Sequence, residues 1–178
     1  GFLYHATAAR VGAATALRIA NAEILPYDYA EFARTMRGYL PALTRGFTAK
    51  GWDANTVAPL GDAITTLERA ATTFAAARDN ALGRGVTKRA QVATNSALMK
   101  VERAFARPSG LKGRPWYRSL IYVADIDNGY ANMNFPGVNE AVRSGDRALA
   151  LEELRDLTQR FGAAAALLDE ARVALGTR

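Results

Sequence analysis

The chain has no cysteine and a single histidine, His5, and these two shortages exclude more chemistry than any motif adds. Without cysteine there is no disulfide, no thiolate zinc site and no cysteine nucleophile. One histidine cannot build a His-rich metal centre, and it makes a Ser-His-Asp triad a poor reading. The lack of cysteine does not assign a compartment, because such a chain is at home in oxidising or reducing surroundings. Long hydrophobic runs are missing too: nowhere do about 18 uncharged apolar residues follow one another, so no stretch reads as a bilayer-spanning helix. There is no repeat of fixed period and no low-complexity tract. The sequence opens on Gly1 with no basic segment and cleavage pattern behind it, as expected of a piece cut from a longer polypeptide or of one with a tag residue left on.

What is present is alanine-rich and helical in pattern. Alanine loses no rotamer freedom on entering a helix, so the bias favours that state. With 178 residues, 49% of them hydrophobic, the chain is long enough for one domain with its own core. The net charge of +6 raises the question of a polyanionic partner. Its distribution argues against one. Arg34, Arg37, Arg45 and Lys50 are spread along one helical segment, and Arg84, Lys88, Arg89 and Lys100 along another, as on solvated faces. A nucleic-acid-binding module would instead show steeply salt-dependent binding, and no nucleic acid partner is expected.

Apolar spacing predicts helices over 4–22, 28–50, 56–82, 87–106 and 147–175. In the first, Leu3, Thr7, Val11, Ala14 and Leu17 follow helical spacing, and Pro26 closes the segment. Asp28 is placed to cap the second, whose stripe is Tyr29, Phe32, Met36, Tyr39 or Leu40, Leu43 and Phe47. Pro41 falls inside that segment, where it is expected to kink or end the helix. Leu60, Ile64, Leu67, Ala71 and Phe74 form the face of the third, which Gly83 and Gly85 interrupt. Leu98, Val101 and Phe105 belong to the fourth. Asp146 caps the last and clearest helix, with Leu151, Leu154, Leu157 or Thr158, Phe161, Ala165 and Leu168 in line. Each helix has one apolar face to bury. The economical solution is an all-α, four-helix-bundle-like fold of long up-and-down helices.

Residues 108–145 break this pattern. The stretch GRPWYRSLIYVADIDNGYANMNFPG carries Trp116, Tyr117, Tyr122, Tyr130 and Phe135 among glycines, prolines and asparagines. Loops of this length in a compact domain are uncommon and mostly functional or docked. Ser119 to Ala124 suits a short extended piece and Gly137 to Val142 a turn or two of helix. The aromatics are costly to leave in water, so they are expected to pack on the bundle, as a flap closing its end, or on a neighbour.

Three separated stretches carry a resemblance. LMKVERAFARPSGLKGRPWYRSLIY (98–122), NGYANMNFPGVNEAV (128–142) and YHATAARVGAATALRIANAEILPYDY (4–29) are similar, in the same order, to runs of the transferrin receptor-like dimerisation domain. That domain is the C-terminal helical part of glutamate carboxypeptidase II and of the transferrin receptor. Between Lys50 and Arg89 the likeness is only that of amphipathic helix.

The resemblance implies a non-catalytic dimerisation domain of a zinc metallopeptidase, forming a homodimer through the bundle. Zinc and its ligands belong to a protease domain preceding this segment, so this chain is expected to hold no cofactor, no metal ligand and no catalytic residue. His5 matches a family histidine that is not expected to bind zinc. The resemblance further implies that the 108–145 loop reaches the protease domain and helps line the pocket for a peptide substrate. There Gly129 and Tyr130 match the family's Lys-Tyr pair. Tyr130 retains a phenol able to donate to a substrate carboxylate. Gly129 lacks the ammonium that would hold an acidic side chain, leaving carboxypeptidase and aminopeptidase activity both open. Arg114, Pro115, Trp116, Tyr117 and Arg118 match the family's most recognisable run and read as structural. Their rings are expected to fill the base of the loop, and their guanidinium groups to bond backbone carbonyls. The alternative is a transferrin receptor-like, non-enzymatic domain that binds a protein partner. A periplasmic, secreted or cell-surface location is implied by the same likeness.

Overall fold

The computed structural model describes residues 1–176. Among them the helices are α1 (Leu3–Asn21), α2 (Tyr29–Ala49), α3 (Ala58–Arg84), α4 (Lys88–Arg103), α5 (Pro136–Ser144) and α6 (Arg147–Ala174), and the strands β1 (Tyr122–Ala124) and β2 (Asn132–Asn134) form one small hairpin. A 3₁₀ turn over Ala54–Val57 leads into α3. The fold is all-α. α6 lies at its centre, packed on α3, α4 and α5, and α2 lies against α3.

The periodic residues are the ones that build this core. Leu60, Ile64, Leu67 and Phe74 of α3 are buried together with Leu154, Leu157, Phe161 and Leu168 of α6. At the middle, the Phe161 ring meets Phe105 at 4.8 Å and Phe135 at 6.4 Å between centroids, and Phe105 meets Phe32 at 5.5 Å. This aromatic cluster joins α2, the end of α4, the hairpin and α6. Three of the helices, α2, α4 and α6, begin where side-chain oxygens serve orphan amides. The Glu31 amide donates to Asp28, the Ala90 amide to Thr87 and the Leu149 amide to Asp146.

Four expectations need correction. α1 does not join the bundle: none of its residues is buried, and Leu3, Tyr4, Val11 and Leu17 stand in solvent. The faces of α2 to α6 already cover one another, so the fold leaves α1 no partner. α2 runs unbroken through Pro41. Pro41 and Arg37 both lie on the exposed side, where the carbonyl deprived of its amide reaches water. α3 continues through Gly83 and stops at Gly85, which takes a φ of 85°. α4 ends at Arg103, before the expected Ala106, yet Phe105 is buried just beyond it.

Candidate functional site

The segment between α4 and α6 is compact and has two parts. Its base, residues 104–121, is folded by reciprocal backbone bonds. The Arg107 amide donates to the Arg118 carbonyl at 2.8 Å, and the Leu111 amide to the Tyr117 carbonyl at 2.9 Å. The Gly110 amide donates to the Arg107 carbonyl, and Gly110 has a φ of 68°. A Cβ at Gly110 would stand 2.1 Å from the Pro115 carbonyl oxygen, so the close approach of the two turns requires glycine.

Three arginines fasten this base. Arg107 donates to Glu153 at 2.6 and 2.8 Å and to Asp156 at 2.6 and 3.0 Å, tying the loop to α6. Arg160 adds bonds to Asp156 and to the Ala104 carbonyl at 2.8 Å. Burial works against ionisation of Asp156, but the hydrogen bonds from Arg160 and Arg107 outweigh it and hold the carboxyl below its usual range. Arg107 is correspondingly pushed up, chiefly by its hydrogen bond to Glu153. Arg114 donates to the Ala124 carbonyl at 3.0 Å, pairs with Glu140 of α5 and lies over the Tyr117 ring.

The second part is the hairpin. β1 and β2 pair antiparallel with Val123 opposite Met133, and these two side chains are buried. The connecting turn, residues 125–131, closes on itself. The Asp125 amide donates to the Ala131 carbonyl and the Ala131 amide to the Asn128 carbonyl, each at 2.9 Å. The Asp125 carboxylate accepts from the amides of Asp127 and Asn128, and the Asn128 side chain accepts from the Tyr130 amide. This arrangement brings Gly129 and Tyr130 to the tip, with the Tyr130 ring wholly exposed (104%). Arg143, in the last turn of α5, grips the same turn from below. It donates to Asp125 at 2.6 and 3.0 Å and to Asp127 at 3.0 Å. The hydrogen bond from Arg143, then those from the backbone, hold the Asp125 carboxyl well below the usual carboxylate range.

The aromatics divide between the bundle and the surface. Phe135 is buried against Tyr39 and Phe161, and Tyr117 is half-buried under Arg114. Trp116, Tyr122 and Tyr130 remain outside, so Trp116 does not fill the base of the loop. Of the Arg-Pro-Trp-Tyr-Arg run, Arg114 makes the expected carbonyl bond while Arg118 is exposed. Beside β1 lies a cleft of about 370 Å³ lined by Tyr27, Tyr29, Phe32, Glu102, Phe105 and Tyr122. Its most buried polar group is spoken for: the Tyr29 hydroxyl donates to the Leu98 carbonyl at 3.0 Å, and burial, with the Glu102 charge adding, pushes the phenol up. Tyr29 therefore keeps its proton at neutral pH.

His5 is exposed on α1 with its ring 5.7 Å from that of Phe2. Among the described residues no group of three or more His, Cys, Asp or Glu could hold a metal ion, so these residues do not fit a zinc centre. No helix among them is long and apolar enough to cross a membrane. Arg107, Glu153, Asp156, Asp125 and Arg143 were not found by sequence reasoning. The Asp125–Ile126–Asp127–Asn128–Gly129 stretch is a turn signal, but nothing local links it to Arg143.

The model of the transferrin receptor-like dimerisation domain family matches residues 55–169, which span α3 to most of α6 together with the hairpin. A probable glutamate carboxypeptidase of Arthroderma benhamiae is 26% identical over 168 residues, covering 94% of this chain and 23% of that protein. The probable glutamate carboxypeptidase LAMP1 of Arabidopsis thaliana is 32% identical over 143 residues, 79% of this chain and 20% of its own length. Over a shorter stretch of 61 residues, 34% of this chain and 8% of the relative, the chain is 34% identical to the inactive zinc metalloprotease C354.09c of Schizosaccharomyces pombe. The chain thus spans about a fifth of the length of the carboxypeptidase relatives it matches. With the matched segment coinciding with the central helices and the hairpin between them, the chain belongs to the transferrin receptor-like dimerisation domain family.

Proposed function

We propose that this chain is the helical dimerisation part of a peptidase-like protein and supplies no bond-breaking group itself. In this reading the hairpin turn lines the substrate pocket of a protease domain elsewhere in the parent, and the bundle joins two copies. The observation that carries it is the tip of the turn. A large amphipathic side chain, Tyr130, stands fully in solvent on a backbone closed by its own hydrogen bonds. An aromatic ring held out in this way is suited to contact a partner surface or ligand. Its hydroxyl can donate to a substrate carboxylate, whereas Gly129 beside it offers no cation. α1 supports the same reading. Its exposed Leu3, Val11 and Leu17 need a cover, and the protease domain is the proposed one. The metal belongs to that domain, where zinc would supply a Lewis acid and an activated water.

The test is hydrolysis by the full-length parent, loaded with zinc, of dipeptides ending in glutamate or in leucine. Tyr130→Phe is expected to raise KM roughly tenfold or more, as for a lost hydrogen bond to a charged group. With no acidic-side-chain anchor at Gly129, the leucine peptide is expected to be taken at least as well. Unchanged kinetics in Tyr130→Phe would remove the turn from the pocket. A second, non-enzymatic reading is favoured by the relative named as an inactive zinc metalloprotease. It predicts no hydrolysis of either peptide by the parent at any zinc concentration.

A further inference from the structure

We infer that Arg143 is a positioning residue for the substrate-facing turn, acting through Asp125 and Asp127; the inference rests on the reading above that Tyr130 meets substrate. The turn's own hydrogen bonds close it into a loop but do not tie it to the helices. Ile126, Asp127, Asn128, Gly129 and Tyr130 are all exposed, and the hydrogen bonds within the turn involve only its own residues. Among the described residues, the side-chain bonds that leave it go to Arg143.

Arg143 suits this role for three reasons. It projects from α5, which is itself anchored by buried Pro136, Val138, Ala141 and Val142 against the core. Its planar fork reaches both carboxylates, and two oxygens of Asp125 at once, which fixes orientation as well as distance. Its backbone is held from a third element, because the Lys50 ammonium donates to the Arg143 carbonyl at 3.1 Å. The groups facing its guanidinium are acidic, so the cation is satisfied in the turn and is not offered to a ligand. Asp125 is the pivot: its side chain is only 9% exposed, and one carboxylate serves both the guanidinium and the turn's own amides.

Rigidity therefore passes from α6 to α5, through Arg143 to Asp125, and on to Asn128 and Tyr130. A turn already held in its bound shape loses less conformational freedom when substrate arrives. The contribution appears in substrate binding, with the chemical step left alone.

The experiment uses the full-length parent with Arg143→Ala, Arg143→Lys and Tyr130→Phe. Amide hydrogen exchange is followed by mass spectrometry over residues 125–131, with α3 and α6 as internal controls. Hydrolysis of the better dipeptide is measured alongside. In Arg143→Ala, exchange in the turn is expected to quicken at least tenfold while α3 and α6 keep their protection, and KM to rise roughly tenfold with kcat held. Lysine keeps the charge without the fork, so Arg143→Lys is expected to restore only part of both effects. Unchanged exchange in the turn of Arg143→Ala overturns the inference. So does faster exchange with an unaltered KM, where Tyr130→Phe still impairs the enzyme. If neither Tyr130→Phe nor Arg143→Ala alters KM, the pocket reading has failed and the inference falls with it.

Discussion

The Phe135–Pro136–Gly137 corner shows how much one short motif settles. Phe135 takes a φ of 47°, a left-handed conformation that costs a non-glycine residue about 1–2 kcal/mol. Burial of its ring beside Phe161 and Tyr39 offsets that. Pro136 then opens α5 at a position that needs no amide. At Gly137 a Cβ would stand 2.2 Å from the Glu153 carboxylate that Arg107 holds, which leaves no room for a side chain without disturbing the pair. Gly110 and Gly83 make a sharper contrast. Gly110→Ala combines a positive φ with collision against the Pro115 backbone, and is expected to destabilise by at least about 2 kcal/mol in urea titration. Gly83→Ala meets nothing within 4 Å inside α3, and is expected to stabilise by about 0.5–1 kcal/mol. Equal effects of the two substitutions would contradict this account of the loop base.

Helices of similar appearance in the sequence have opposite fates. α6 buries Leu154, Leu157, Phe161 and Leu168 on one side, whereas α1 buries nothing. Removal of residues 1–22 is therefore expected to leave the urea midpoint of the chain within the equivalent of about 0.5 kcal/mol. Leu168→Ala, which opens a cavity at a fully buried core position, is expected to cost about 2–5 kcal/mol. A large loss on truncation would show that α1 packs on the bundle. The linker that follows α1 is a different matter. Ile24 is buried, and the Asn95 side chain accepts from the Leu25 amide and donates to the Glu23 carbonyl, so the truncation has to stop before Glu23. Of the loop's two strands, only the extended piece ending at Ala124 was legible in the sequence, and the pairing of β1 with β2 came from the structure. α5 was visible as no more than a turn or two, because its nine residues are too few for a period to stand out.

The molecule as a whole depends on ion pairs that join segments far apart in the chain. Arg107 with Glu153 and Asp156 links the loop base to α6, and Arg143 with Asp125 and Asp127 links the hairpin to α5. Both Asp125 and Asp156 are held below the usual carboxylate range in the folded chain. A carboxyl depressed in this way contributes stability that is fully present above its unfolded value and is lost as pH falls through the folded value. The melting temperature is accordingly expected to stay level from pH 7 to about 5 and to decline below about pH 4. Asp156→Asn is expected to lower the plateau and flatten the acid decline. A decline that begins near pH 6 would assign the acid sensitivity to other groups.

The five long helices, the caps at Asp28 and Asp146, and the core stripe of α3 and α6 were all readable from the sequence. Each rests on residues within a few positions of one another, where period and hydrogen-bonding chemistry act locally. The run of aromatics and turn residues likewise marked residues 108–145 as the irregular segment, but the exposure of Tyr130 at the tip of a turn came only from the structure. Which apolar faces would meet was beyond that reading, because covering one face depends on every other helix, and α1 was left over. The ion pairs were hidden for the same reason: Arg107 finds Glu153 across 46 positions and Arg143 finds Asp125 across 18. Only tertiary packing brings such charges within hydrogen-bonding distance, since no local pattern correlates residues so far apart along the chain.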